Sequence, residues 1–323
     1  MRNNKKWKRK VFSLATIATI GVSCTTLPNH ASADTTEKVP QDVSKIQEQN
    51  KKQQGIQDWQ GPIDFTIGQF FQKKTGNNVA HILTRYDNPK FIETTAVASS
   101  SPKITDLKEV YVGRSILRNN TDIDQTLYTD SYSETITEST TSAVTHGFNI
   151  GESTTASLSL PIVGAGFEQE VHMEYNISTE NSTTKEKSRT YTAPSQAIVV
   201  PAHSSVEVIV KLDRIKADGK VDLFSKMKDT QYTSLVWFKD RPDQMFVGSV
   251  YDAVRDVTSD QTFPDIKANK KDKTISLIGK GNYKAVLGTT FSVNVKPVNK
   301  EGRAINDGYT YKVNPQITDV KIK

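Results

Sequence analysis

The chain has 323 residues, with 42 Lys+Arg against 36 Asp+Glu and a formal net charge of +6. Six of those cations (Arg2, Lys5, Lys6, Lys8, Arg9 and Lys10) crowd the first ten residues, so the remainder is balanced at 36 of each sign and gives no whole-chain electrostatic case for nucleic acid. Beyond the leader stand four histidines (His81, His146, His172 and His203), no cysteine and no His-x-x-x-His pair, so the sequence predicts neither a metal site nor a cofactor.

The cationic start is followed by an apolar stretch from Val11 to about Val22 and by the small-x-small triplet Ala31-Ser32-Ala33. This pattern predicts a secretory signal over residues 1–33 with cleavage between Ala33 and Asp34, since the run is too short for a membrane helix. Gly21-Val22-Ser23-Cys24 is a poorer fit to a lipoprotein site. Removing the leader also removes Cys24, so the remaining chain has no disulfide, as a secreted protein large enough to bury real cores can afford.

Residues 34–109 form the first expected region. Residues 34–56 are polar and read as a solvated arm or a short surface helix. Ile63, Ile67, Phe70 and Phe71 then recur at helical spacing, and Gly76 is a natural stop. Trp59, Phe65 and Tyr86 add aromatic weight; such side chains are usually core, but in a secreted binder they are also candidates for a receptor surface.

From Val110 onward the pattern is that of strands, with no internal repeat. Residues 110–212 form the second region and 213–323 the third. Ser and Thr alternate through Thr129, Ser131, Ser133, Thr135, Thr137, Ser139 and Thr141, and recur from Ser178 to Thr192, which predicts polar strands rather than disordered linkers. Ala197–Val200 and Val206–Leu212, separated by Pro201-Ala202-His203-Ser204, read as a strand pair around a proline turn. Further strands are expected near residues 235–238, 246–251, 274–277, 291–295 and 309–313.

Between the two Ser/Thr tracts, residues 148–178 read as one amphipathic β-hairpin. One face collects Phe148, Ile150, Ala156, Leu158 and Leu160 from the first arm and Phe167, Val171, Met173, Tyr175 and Ile177 from the second. The other collects Ser153, Thr155, Ser157, Ser159, Glu168, Glu170, His172 and Glu174. The tip, Pro161-Ile162-Val163-Gly164-Ala165-Gly166, is apolar and glycine-rich, unlike an ordinary solvent-facing turn. A symmetric tip puts Leu160 opposite Phe167, Leu158 opposite Gln169 and Ala156 opposite Val171. The apolar face is broken by small residues, by Glu152 and by Gln169, which makes it a poor candidate for a core. Each arm exceeds the ~9–11 tilted residues that a strand needs to cross a bilayer. The hairpin is therefore a candidate membrane-inserting element, its polar side lining a lumen.

Enzyme signatures are missing. There is no Gly-x-Ser-x-Gly elbow, Gly279-Lys280-Gly281 lacks the spacing of a phosphate loop, and Gly164-Ala165-Gly166 is too short for a dinucleotide fingerprint. The expectation is a non-enzyme. A β-rich adhesin or carbohydrate-binding module, or a structural crystal or spore-coat protein, would account for the strands but not for the apolar tip.

The order of parts carries a resemblance. A Ser/Thr strand, an amphipathic hairpin and a second Ser/Thr strand lead into Pro194-Ser195-Gln196-Ala197-Ile198-Val199-Val200-Pro201-Ala202 and Val206-Glu207-Val208, with Gly281-Asn282-Tyr283-Lys284-Ala285-Val286-Leu287-Gly288-Thr289 further on. This resembles the epsilon toxin/mosquitocidal toxin family of aerolysin-type β-pore-forming toxins, best from about Val110 to Val295. The resemblance implies a mainly β, elongated aerolysin-like fold with a helix-containing N-terminal receptor-binding region. It implies a bacterial protein exported from the cell or laid down as a crystal inclusion, acting on a target-cell membrane through an unidentified receptor. An activating protease would trim it, and a homo-oligomeric ring would build a barrel from one hairpin per subunit. The removable cover would be the polar arm ending near Lys51-Lys52 or the tail beyond Val295 (Lys296, Lys300, Arg303, Lys312, Lys321, Lys323), and the resemblance favours the tail.

Overall fold

The computed structural model describes residues 41–42, 55–151, 154–164, 167–258, 264–299 and 301–320. The leader, the Ala33/Asp34 junction, Lys51-Lys52, Glu152, Ser153, Ala165, Gly166, Lys300, Lys321 and Lys323 lie outside them.

Two very long antiparallel strands form the spine. β13 (Ser205–Lys228) pairs with β17 (Thr274–Val298) along nearly its whole length, interrupted only by a bulge at Leu212/Arg214. At ~3.3 Å per residue, strands of 24 and 25 residues extend about 80 Å. Burial alternates along the first part of β13, with Val206, Val208, Val210 and Leu212 buried and Glu207, Ile209 and Lys211 less so between them. The free edge of β13 takes β6 (Val110–Arg118), β5 (Lys103–Asp106) and β4 (Phe91–Ala98) in turn. The other edge of β17 takes β18 (Tyr309–Val313), β8 (Tyr132–Asn149) and β16 (Ile266–Asn269). β8 then pairs with β11 (Ser182–Ala193), and β11 with β19 (Gln316–Asp319), which closes an eleven-stranded sheet that also includes β2 (Gly55–Asp58).

Three hydrophobic cores are strung along this spine. Ile275 and Leu277 of β17 enter the first, Tyr283, Ala285 and Leu287 the second, and Phe291, Val293 and Val295 the third. The first belongs to a head in which α1 (Gln60–Thr75) and α2 (Val250–Thr258) pack with a four-stranded sheet. That sheet comprises β1 (Gln41–Asp42), β3 (Val79–Tyr86), β14 (Gln231–Phe238) and β15 (Gln244–Ser249). Helix α1 forms where the apolar spacing requires it. Pro62 sits in its first turn, Lys73 and Lys74 complement the dipole at its last, and Gly76 at φ 72° donates its N–H to the Gln72 carbonyl at 2.9 Å. Val250 and Tyr251, expected in a strand, begin α2 instead.

Three expectations need correction. The strand Ala197–Val200, here β12, pairs with β7 (Gln125–Tyr128) and not with the strand after the proline corner. The boundary at 212/213 falls inside the continuous β13, and the head sheet joins residues 79–86 to 231–249, so residues 34–109 are not a unit of their own. Trp59, Phe65 and Tyr86 are 6%, 1% and 9% exposed, with the rings of Trp59 and Tyr86 4.9 Å apart. The Tyr86 hydroxyl donates to buried Asp64, and burial, then that carboxylate, pushes its pKa well up. These aromatics are the head core, so they offer no receptor surface.

Candidate functional site

The hairpin is built from β9 (Thr155–Gly164) and β10 (Phe167–Asn176), which pair only with each other among the described residues. Val171 lies opposite Leu160, Met173 opposite Leu158 and Tyr175 opposite Ala156, four residues away from the register a symmetric tip predicts. The reason is a tighter turn. Pro161, Ile162, Val163 and Gly164 continue the first strand, so that only two residues separate Gly164 from its partner Phe167. The Phe167 ring lies where a side chain on residue 164 would project, so any larger residue there requires the ring to move.

The two faces differ sharply. Ala156, Leu158, Leu160, Ile162, Val171, Met173, Tyr175 and Ile177 are buried, whereas Thr155, Ser157, Ser159, Glu168, Glu170, His172 and Glu174 are exposed. Ile162 therefore belongs to the apolar face, and Val163, 58% exposed, to the polar one. The apolar face is not a poor core. It packs on Ile215, Ala217, Val221, Leu223, Tyr283, Ala285 and Leu287 of the spine, small residues matching large ones. Phe148 is the exception among the candidates on this face: it ends β8 and is buried in the head core, while Ile150 is half-buried and packs against both cores.

No backbone ladder moors the hairpin to the eleven-stranded sheet among the described residues. Instead, side-chain hydroxyls join it to the sheet through backbone carbonyls on either side. The Thr94 hydroxyl donates to the Thr155 carbonyl at 3.0 Å, the Ser142 hydroxyl to Glu174 at 2.7 Å, and the Tyr175 hydroxyl to Asn282 of the spine at 3.4 Å. Lys185 Nζ pairs with Glu174 at 2.6 Å in an exposed position. On the outer face the Ser159 hydroxyl and His172 Nδ1 lie 2.6 Å apart.

Gln169, odd on an apolar face, reaches toward Glu138 at 3.5 Å. Glu138 is the site's unforeseen residue, with a side chain only 6% exposed. It accepts from the Tyr191 hydroxyl, from the Gly288 N–H at 3.2 Å and from Arg189 at 2.9 Å. Burial, and then the hydrogen bond to Glu138, raise the Tyr191 pKa. Arg189 also donates to Asp319 on β19 at 3.1 Å, and Lys187 pairs with Asp319 at 2.7 Å. The Lys187 hydrogen bond, followed by that of Arg189, outweighs burial and holds the Asp319 carboxyl below its ordinary value. Glu138 is one of three acids in the Thr129–Thr145 tract, with Asp130 and Glu134, and local pattern did not set it apart.

The Ser/Thr tracts themselves are β8 and β11. Their hydroxyls meet in cross-strand pairs on the exposed face: Ser133 with Thr192 at 2.8 Å, Thr135 with Thr190 at 2.8 Å, and Thr141 with Thr184 at 3.0 Å. The described part of the C-terminal tail is tied down: Lys312 of β18 pairs with Asp213 at 2.6 Å, and β19 covers the edge of β11. Arg303 lies exposed on the connection between β17 and β18.

The fold is strand-dominated, with a two-faced hairpin packed on its spine as a separate two-stranded element. Residues 82–302 match the family described as Clostridium epsilon toxin ETX/Bacillus mosquitocidal toxin MTX2, and this chain belongs to that family. The match begins upstream of Val110, inside the stretch where the sequence resemblance is weak. No curated protein sequence gives a significant match. Among solved structures, the Mpp75Aa1.1 beta-pore-forming protein from Brevibacillus laterosporus superposes with a TM-score of 0.68 at 21% identity, over 82% of this chain and 98% of that one. The Cry23Aa1 and Cry37Aa1 binary protein complex gives 0.52 at 20% identity, over 79% and 98%. A non-toxic crystal protein from Bacillus thuringiensis gives 0.51 at 15% identity, over 74% and 96%. At these identities the likeness establishes an aerolysin-like fold.

Proposed function

We propose that this chain is a secreted pore-forming toxin whose β9–β10 hairpin leaves the spine and joins those of other copies in a transmembrane barrel. One observation carries the reading: a two-stranded element with one apolar face and one polar face, packed on the sheet with no backbone ladder to it among the described residues. Release exchanges one apolar environment for another and, among the described residues, breaks no ladder between β9 or β10 and the sheet. A lone hairpin cannot stay in hydrocarbon, because its edge N–H and C=O groups have no partners there; only a ring closes the edges. Ser157, Ser159, Glu168, Glu170, His172 and Glu174 would then line the lumen.

Export by the 1–33 leader, the target membrane, a receptor and an activating protease belong to the same proposal. The cover is the C-terminal tail, since β19 occupies the edge of β11 and an exposed Arg303 precedes both terminal strands. The test is dye release from liposomes after limited trypsin treatment. We expect shortening at the C-terminal end, detergent-resistant oligomers and release. A trimmed protein that leaves liposomes intact would return the chain to the adhesin or crystal-protein readings.

A further inference from the structure

The paired Ser/Thr strands β8 and β11, the stem, and the hairpin carry different registers. In the stem, Ser139 faces Glu186 and Ala143 faces Ser182; in the hairpin, Thr155 faces Asn176. Eleven residues therefore separate Ala143 from Thr155 on the first arm and five separate Asn176 from Ser182 on the second, a surplus of six. The surplus has its own place here. Val144–Asn149 is the part of β8 that runs past the start of β11; Val144 still donates its N–H to Asn181 at 3.4 Å, and the segment takes further partners elsewhere. His146, Gly147, Phe148 and Asn149 pair in parallel with Gly55, Ile56, Gln57 and Asp58, while Val144 and His146 lie opposite Gly281 and Lys280.

A continuous two-stranded ribbon through stem and hairpin has two ways to meet this mismatch. One register slides by six, or both persist and six residues stay out of the pairing. Alternation does not choose between them, because an even slide returns every side chain to its own face. The side chains do choose. Sliding the stem would put Ala193 opposite Glu138 in place of Lys187 and part that carboxylate from Arg189 and Tyr191, leaving a buried acid without its cation. Sliding the hairpin would open the tight connection between Gly164 and Phe167.

We propose that both registers persist in the inserted state and that Val144–Asn149 leaves its present partners to stand as a six-residue collar on the first arm, where stem meets hairpin. The collar rests on the pore reading. The present hairpin is folded back along the stem, with Gln169 beside Glu138 and Glu174 beside Ser142 and Lys185. To swing outward, one arm must travel further than the other. Six residues supply about 20 Å of slack at ~3.3 Å each, so the stem need not unzip.

Introduced cysteine pairs test this, because Cys24 in the leader is the chain's own sole cysteine. Ser139→Cys/Glu186→Cys and Ser157→Cys/Glu174→Cys report the present stem and hairpin registers. Ser139→Cys/Thr192→Cys and Ser157→Cys/Glu168→Cys report each register moved by six. The reduced, trimmed proteins are inserted into liposomes and then oxidised, and within-chain links are read by mass after denaturation. We expect links in the first two variants and none in the second two. A link in either moved pair, or loss of either present pair, overturns the collar while dye release stands. Absence of release from the unaltered trimmed protein removes the pore reading and the collar with it.

Discussion

At the scale of residues, the polar face and the Glu138 cluster make opposite predictions. Glu168 and Glu170 are exposed and contact no core, so changing both to Gln should leave stability within about 0.5 kcal/mol per site. In a barrel the same carboxylates would form rings that favour cations. The expected result is a cation-selective channel in planar bilayers whose selectivity falls in the double variant; an anion-selective unaltered channel rules out the lumen assignment. Glu138 is buried among Arg189, Tyr191 and the Gly288 N–H. Glu138→Ala removes the buried acceptor shared by these donors and leaves Arg189 only Asp319 and the Tyr191 hydroxyl only the Gly288 carbonyl, a loss of about 1–3 kcal/mol. A urea titration should show the midpoint falling accordingly. An unchanged midpoint would mean that the cluster is ornamental to the stem.

At the scale of elements, the hairpin is a ribbon held by packing rather than by a ladder. Its amides should exchange with deuterium faster than those of β13 and β17, whose edges are paired on both sides. Equal protection would show that the hairpin is as firmly held as the spine. The same packing gives Leu158→Arg two effects. Leu158 is 5% exposed in the second core, so the cation must leave that core and the hairpin with it, raising exchange in β9 and β10. In the bilayer an arginine at mid-depth costs ~2–4 kcal/mol per subunit. Dye release should therefore vanish although the hairpin is looser. Release at the unaltered rate would dismiss β9 as a membrane-facing strand.

For the whole molecule, the C-terminal strand links the protein's end to its hairpin through Asp319, Arg189 and Glu138. The Asp319 carboxyl is held below its ordinary value chiefly by Lys187, so its contribution is present above the unfolded value of ~3.9 and is lost as pH falls through the lowered one. Exchange protection of Gln316–Asp319 should accordingly be flat near neutral pH and fall only in acid. Asp319→Asn should lower that protection at neutral pH and speed cleavage after Arg303 by trypsin, read as the half-life of the full-length band. A variant cut no faster would show that β19 is held by its backbone ladder alone.

Local pattern determined much of this protein. Alternation at residues 155–176 announced a two-faced hairpin, helical spacing from Ile63 to Phe71 announced α1, and the serine and threonine tracts announced the paired stem, because side-chain period and turn chemistry are properties of neighbouring residues. Partners distant in sequence were beyond that reach. The apolar face looked too small for a core until the alanines and valines of β13 and β17 were placed against it. Trp59 and Tyr86 looked available until a helix and a sheet closed over them. The hairpin register depended on two residues at a turn, and the role of Glu138 on strands that bring Arg189 and Gly288 to it from 51 and 150 residues away. Periodicity determines which face a residue occupies; only the packed sheet decides what that face meets.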